Sequence, residues 1–311
     1  MEDFTGRRHA AACPGVGLMA EVWLLFALGT ILCYGTAQQF SKKGVQLIGS
    51  YQTGILYATA SIGIQTAYWL LFPDAVEGDL GGVLLAFLAG IIGALGFVFY
   101  IFALKSGKVS IVSVITAGYP AVSVLLALIY LPETLNASQT IGIMLVVGAI
   151  IGLSLPTRAD RKERKEGGKK SRMWLVWAIL SLVFWGVWAI PSKIAMTQIG
   201  EADYILIDGL TMVLTWVPLW LIIDKGRMNR DVKKLRYSGT AGILASIGTV
   251  SLFLAIAPGV GAGQVSLVTP LTSVYPLLTV LLARIVLKEK LEALQYGAIA
   301  GGIVGVLLLA L

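Results

Sequence analysis

The stretch GYPAVSVLLALIYLPETL, Gly118–Leu135, returns 156 positions later as VYPLLTVLLARIVLKEKL, Val274–Leu291. Tyr119-Pro120 matches Tyr275-Pro276, and Glu133 matches Glu289, without a gap. Between Gly107 and Gln139 about half of the positions are identical to their partners at this offset. Chance similarity between apolar segments would repeat Leu, Val and Ala. It would not keep Tyr-Pro, Glu and Gln in register. A second echo lies nearer the start. YGTAQQFSK (Tyr34–Lys42) aligns with WGVWAIPSK (Trp185–Lys193) at an offset of 151, as do Trp23 with Trp174 and Ile48-Gly49 with Ile199-Gly200. The chain is a tandem duplication.

Composition says where the two copies reside. Of 311 residues, 57% are hydrophobic and 13% charged, against about 25% charged in a soluble domain. A chain this apolar cannot hide its side chains in one water-surrounded core. Ten apolar runs approach the roughly 20 residues a helix needs to cross a bilayer: about 20–40, 52–73, 81–104, 109–131, 138–156, 173–195, 203–224, 238–257, 263–287 and 292–311. The expected fold is all-α, a polytopic membrane protein of ten transmembrane helices. Residues 1–19 form an N-terminal tail, 20–156 the first five-helix repeat, 157–172 a basic cytoplasmic linker, and 173–311 the second repeat. Five is odd, so the second copy enters the membrane upside down relative to the first. Inverted halves of this kind are the pattern of secondary transporters, which bind solute near the midplane between them.

The net charge of +7 is concentrated in two blocks, TRADRKERKEGGKKSR (Thr157–Arg172) and DKGRMNRDVKKLR (Asp224–Arg236). Basic runs also suit nucleic acid. Here each is a short loop between apolar spans, so the positive-inside rule is the better reading and no nucleic-acid partner is expected. Lys42, Lys43, Lys105, Lys108, Lys288 and Lys290 fall on the same side as these blocks. Asp74, Glu77, Asp79, Glu133 and Glu201 fall on the other. That bias makes the first side cytoplasmic and puts both termini outside.

The residue inventory argues against an enzyme. Two cysteines (Cys13, Cys33) and one histidine (His9) give no disulfide framework and no metal spacing. No phosphate-binding glycine loop and no set of nucleophile, base and orienting group is present, and no cofactor is expected. The site is therefore sought among polar groups inside spans, which are costly there and functional by default. Tyr34, Gln38 and Gln39 lie on span one, and Trp185, Trp188 and Ser192 recur on span six. Ser113 and Thr116 on span four echo Thr269, Thr272 and Ser273 on span nine. The alternative for each hydroxyl is a bond back to its own helix carbonyl. Lys42 and Lys193 are matched at span ends; Lys193, on the base-poor side, is the candidate to turn inward, although lysines at span ends usually snorkel. Asp208 is the clearest acid within a span and the candidate proton-coupling site, with a structural anchor as the alternative. Pro120, Pro191, Pro270 and Pro276 are candidate helix hinges. Gly148 and Gly152 in span five, and Gly297, Gly301 and Gly305 in span ten, suit close helix approach, either within the bundle or as a homodimer seam.

These residues carry a resemblance. The aromatic-Gly pairs Tyr34-Gly35 and Trp185-Gly186, each followed by its lysine, and a proline in the fourth span of each half belong to it. So do Glu133, Leu135 and Gln139 with their echoes Glu289, Leu291 and Gln295. Over residues 20–311 the chain resembles a ten-span member of the drug/metabolite transporter superfamily with two EamA-type repeats. The resemblance implies a central cavity lined chiefly by spans one, three, four, six, eight and nine. It implies secondary transport of a small polar metabolite, such as an amino acid or sugar, by alternating access, with solute and membrane lipid as partners. A non-transporting scaffold or lipid-handling subunit is the competing expectation; it would fill the same space with Leu and Phe.

Overall fold

The structure, a computed structural model, describes residues 16–74, 79–107, 112, 115–131, 133–154, 173–257, 264–278 and 293–309. The tail to residue 15, the linker 157–172, Ser113, Glu77, Glu289 and the lysines at 108, 288 and 290 lie outside them. Ten helices carry the described fold: α1 (Val16–Ile48), α2 (Ser50–Leu71), α3 (Leu80–Ser106), α4 (Pro120–Tyr130), α5 (Ala137–Ser154), α6 (Met173–Ile199), α7 (Glu201–Ile223), α8 (Val232–Ile256), α9 (Val265–Thr272) and α10 (Ala293–Leu309). No strand occurs among the described residues. By length and composition alone, α3, α6, α7 and α8 are each apolar enough to cross a bilayer.

The duplication is visible in how the helices meet. α1 packs chiefly on α8 and α3 on α6, and replacing each helix by its counterpart in the other half turns one pair into the other. The extensive α2–α7, α4–α9 and α5–α10 pairings map onto themselves in the same way. Each joins one half to the other, so the two repeats interlock around a pseudo-twofold axis instead of standing side by side. The turns repeat as well. A single residue separates α1 from α2 and α6 from α7: Gly49 at φ 85° and Gly200 at φ 87°. With ψ at 172° and 163°, both sit in a region essentially reserved for glycine.

Spans four and nine depart from expectation. The sequence predicts continuous helices over 109–131 and 263–287; instead the chain breaks at residues 117–119 and 273–274. Proline is the cause. A helical residue 120 would donate its N–H to the Thr116 carbonyl, and proline has none to give. Thr116 O accepts from Tyr119 N at 3.2 Å, while Ile115 O accepts from Gly118 N at 3.1 Å, both tight three-residue turns. The second break matches, with Val274 N donating to Leu271 O at 3.4 Å. Pro120 accordingly opens α4 at its first position, a place proline favours, and is not a kink inside a helix. Pro276 follows the second break, whereas Pro191 and Pro270 lie within α6 and α9. Pro218 within α7 is a further helix-interior proline.

The repeated glycines of the aromatic-Gly pairs fit against these breaks. A Cβ on Gly35 would stand 3.0 Å from the Tyr275 carbonyl, and one on Gly186 would stand 3.1 Å from the Tyr119 carbonyl. The same positions press on Leu278 and Val122, which are themselves matched. Each half's first helix thus lies directly on the broken helix, α1 on the second break and α6 on the first.

Polarity is distributed for lipid. Leu25, Leu84, Leu88, Leu125 and Leu214 are exposed on the outer surface, while Thr30, Gln65, Ser181 and Thr211 are fully buried. α5 and α10 meet through Gly142, Ala149, Gly152, Ala298, Gly302 and Gly305, close enough that a Cβ on Gly142 would lie 2.8 Å from the Gly305 carbonyl. Gly148, Gly297 and Gly301 have open space over them and face outward.

Candidate solute site between the two halves

A chamber of about 150 Å³ lies where the halves meet, a size that admits a benzene-scale molecule. α1 contributes Tyr34, Ala37, Gln38 and Ser41, and α6 contributes Trp185 and Trp188. α3 supplies Gly93, Ala94, Phe97 and Tyr100, opposite Ala245, Ser246, Thr249 and Leu252 of α8. Tyr119 and Tyr275, one from each helix break, reach the chamber as a matched pair. Tyr57 and Ser61 of α2, with Asp208 and Met212 of α7, complete the described wall.

Much of that wall is aromatic and in contact. Tyr57 and Phe97 centroids lie 4.6 Å apart, Phe97 and Tyr100 6.0 Å, Tyr100 and Trp185 5.6 Å, and Trp185 and Tyr119 6.4 Å. Across the chamber Tyr34 meets Tyr275 edge-on at 5.8 Å. Hydroxyls and amides are set between the rings. Tyr34 Oη shares a hydrogen bond with Thr249 Oγ1 at 2.9 Å, Tyr100 donates to Gln38 Oε1, and Trp185 Nε1 donates to the Gly93 carbonyl at 3.3 Å.

The acid is held from α2. Gln65 Nε2 donates to Asp208 Oδ2 at 2.9 Å, and Gln65 Oε1 accepts from Ser61 Oγ at 3.0 Å. An ionised carboxylate only accepts, so the Gln65 NH₂ is the end that faces Asp208, and the Ser61 hydroxyl, which can do either, donates to the other end. Gln65 is completely buried and Asp208 is 7% exposed.

Of the residues singled out in the sequence, Tyr34, Gln38, Trp185, Trp188 and Asp208 converge on the chamber. The other described candidates are not on its wall. Gln39 is half-buried on α1 and Thr116 is fully buried at the first break. Ser192 accepts from Tyr204 at 2.6 Å and donates to the Trp188 carbonyl at 2.7 Å. Thr269, Thr272 and Ser273 donate to their own helix carbonyls at Val265, Val268 and Pro270. Two of them also tie the broken helices together: Ser123 donates to Thr269 Oγ1 at 3.3 Å, and Tyr119 Oη lies 3.5 Å from Thr272 Oγ1.

Lys193 does not turn into the chamber. It pairs with Glu133 at 3.3 Å. The Glu133 carboxylate also accepts from the Val265 and Ser266 amides, each at 2.9 Å. Glu133 of the first half therefore caps the second half's α9. Its neighbour in the repeated motif, Gln139, forms a capping box with Asn136 at the start of α5. Lys42, the match of Lys193, instead donates to the Leu104 and Gly107 carbonyls at 3.0 and 2.9 Å, at the end of α3.

Tyr57 and Phe97 were not legible as site residues, since a single aromatic in an apolar run carries no signal. Tyr57 had a clue, because it stands 151 positions before Asp208, the offset of the second echo.

Interlocked inverted halves around a chamber of aromatic rings and a few polar groups define a membrane protein of the transporter class. The family model of the EamA-like transporter family matches residues 21–155 and again 172–311, and the chain belongs to that family, within the drug/metabolite transporter superfamily. A protein of Methanocaldococcus jannaschii described as uncharacterised is 29% identical over 137 residues, 44% of this chain and 96% of that protein. That relative is the size of one repeat. A solved crystal structure of a protein shares the fold with a TM-score of 0.71 at 18% identity, over 92% of this chain and 95% of that one.

Proposed function

We propose that this transporter moves a small polar metabolite, an amino acid, a sugar or a similar solute, by alternating access around the central chamber. The observation that carries the reading is the chamber's lining: Gln38, Ser41, Ser61, Asp208, Ser246 and Thr249 are turned inward in a molecule whose outer face is leucine. A scaffold would fill this space with Leu and Phe, and of the groups that line it the acid Asp208 is the costly one at membrane depth unless it serves a solute or an ion path. The two broken helices are the moving parts. Each presents a tyrosine to the chamber at a short turn, where a change of backbone angles bends the helix at least cost. The Glu133–Lys193 contact joins the halves on one face and is the candidate latch there.

The repeats are assigned to 20–156 and 173–311 from the duplication, and the lysine and arginine bias assigns the basic linker to the cytoplasm and both termini to the outside. With no nucleotide-binding motif, the energy comes from a proton or solute gradient, and Asp208 is the group placed to take part. A homodimer would seat on the outward glycines Gly148, Gly297 and Gly301. The test is solute counterflow with the purified chain in lipid vesicles, across a panel of amino acids, sugars and amines. Exchange of at least one solute is expected. Folded protein that exchanges none of them would overturn the reading.

A further inference from the structure

Among the described residues that line the chamber, one carries a charge, Asp208. Its Oδ2 is occupied by Gln65, and no cation stands within ion-pair distance of it among the described residues. The two lysines of the repeated motif are spoken for. Lys193 is paired with Glu133, and Lys42 is bound to carbonyls at the end of α3. A carboxylate this buried in a membrane span needs a positive partner or a proton. Sharing the chamber wall with Asp208 are Ser61 on α2, Tyr34 on α1, Trp188 on α6 and Thr249 on α8, and Gln65 of α2 is bonded to it. All are neutral, and four of the five offer ring faces or hydroxyls.

Ring faces carry negative potential, and a cage of them with a carboxylate at one side is the chemistry that recognises an ammonium group. A sugar-specific site would be built the other way, with paired amides and carboxylates along its walls and one or two rings as platforms. We propose that the solute of this chamber carries an ammonium group, seated against Asp208 and enclosed by Tyr34, Tyr119, Trp185, Trp188 and Tyr275. This rests on the transport reading for its biological meaning, but binding can be measured without transport.

The test compares choline with 3,3-dimethylbutan-1-ol, its uncharged analogue of the same shape, with methylammonium and tetramethylammonium as smaller probes. Binding to the purified full-length chain is followed by isothermal calorimetry and by thermal stabilisation. At least one of the three cations should bind more tightly than the neutral alcohol, by on the order of ten-fold or more. Asp208→Asn, which keeps an acceptor for Gln65, should bring charged and neutral probes to equal affinity. If the variant does not fold, the comparison on the unaltered chain still decides. Equal binding of the alcohol and all three cations, or binding of none of them, overturns the ammonium assignment. The two readings fail separately. A sugar that exchanges in vesicles while no cation binds removes the ammonium and leaves the transporter. A cation that binds while no solute exchanges does the reverse.

Discussion

Ser41 and Ser192 occupy the same place in their halves, and each is hydrogen-bonded to a tyrosine of the following helix. The tyrosines are not equivalent. Ser41 holds Tyr57, whereas Ser192 holds Tyr204, one turn earlier in its helix. The second half therefore has no tyrosine at the place matching Tyr57; it has Asp208. The next matched residues also diverge. Lys42 stays within its own half, and Lys193 crosses to Glu133 of the other. The scaffold keeps the symmetry of the duplication, at Gly49 and Gly200, at Gly35 and Gly186, and at the two breaks. The charges depart from it. Symmetric positions are where the two halves must fit each other, and the asymmetric ones put one acid on the chamber wall and one ion pair between the halves.

The sharpest way to break that contrast is at its polar pair. Asp208→Asn should cut exchange of the transported solute by roughly 30-fold or more, since a charge-assisted contact contributes about 2 kcal/mol. Tyr57→Phe, at the matched place, should cost only about five-fold, through loss of one neutral hydrogen bond. Counterflow rates on the two variants measure the difference. Glu133→Ala comes next. It strands Lys193 and uncaps α9, and should lower unfolding stability by about 3 kcal/mol. Lys42→Ala should cost about 1 kcal/mol. Equal losses in a denaturant titration would mean the two lysines are equivalent after all.

The symmetric positions should behave as pairs. Gly186→Ala pushes a methyl to 2.4 Å from Val122 Cβ, and Gly35→Ala to 2.9 Å from Leu278 Cδ2. Both should destabilise, by about 1–3 kcal/mol, with Gly186 the worse. The turns come last. Gly49→Ala and Gly200→Ala each force a side chain into the glycine-only region for about 1–3 kcal/mol. Gly200 adds a clash with Asp74 at 2.3 Å, whereas Gly49 has open space. Melting temperatures in one detergent would rank them.

Architecture was legible in the sequence because duplication and hydropathy leave long-range traces. The register of Tyr119-Pro120 with Tyr275-Pro276 gave two halves, and an odd span count gave their inversion. The prolines were legible as irregularities, but not as the complete breaks they make, since that depends on which carbonyl finds another donor. Tyr34, Gln38, Trp185, Trp188 and Asp208, which line the chamber, stood out in the sequence through the repeated motif of spans one and six or as an acid within a span. Lys193 was read toward the solute because nothing in a linear pattern shows that Glu133 arrives beside it from 60 residues away. Tyr57 and Phe97 join the site only through the crossing of α2 and α3, which a single sequence does not display.

The most direct measurement asks whether the chamber is reached from both faces. Cys13 and Cys33 are replaced by serine and Ser246→Cys is introduced, an exchange of one atom on the chamber wall. Sealed, oriented vesicles are then treated with a membrane-impermeant thiol reagent from one side or the other. Labelling from each side is expected, with added solute slowing both. Labelling from one side only, whatever solute is present, would contradict alternating access around this chamber.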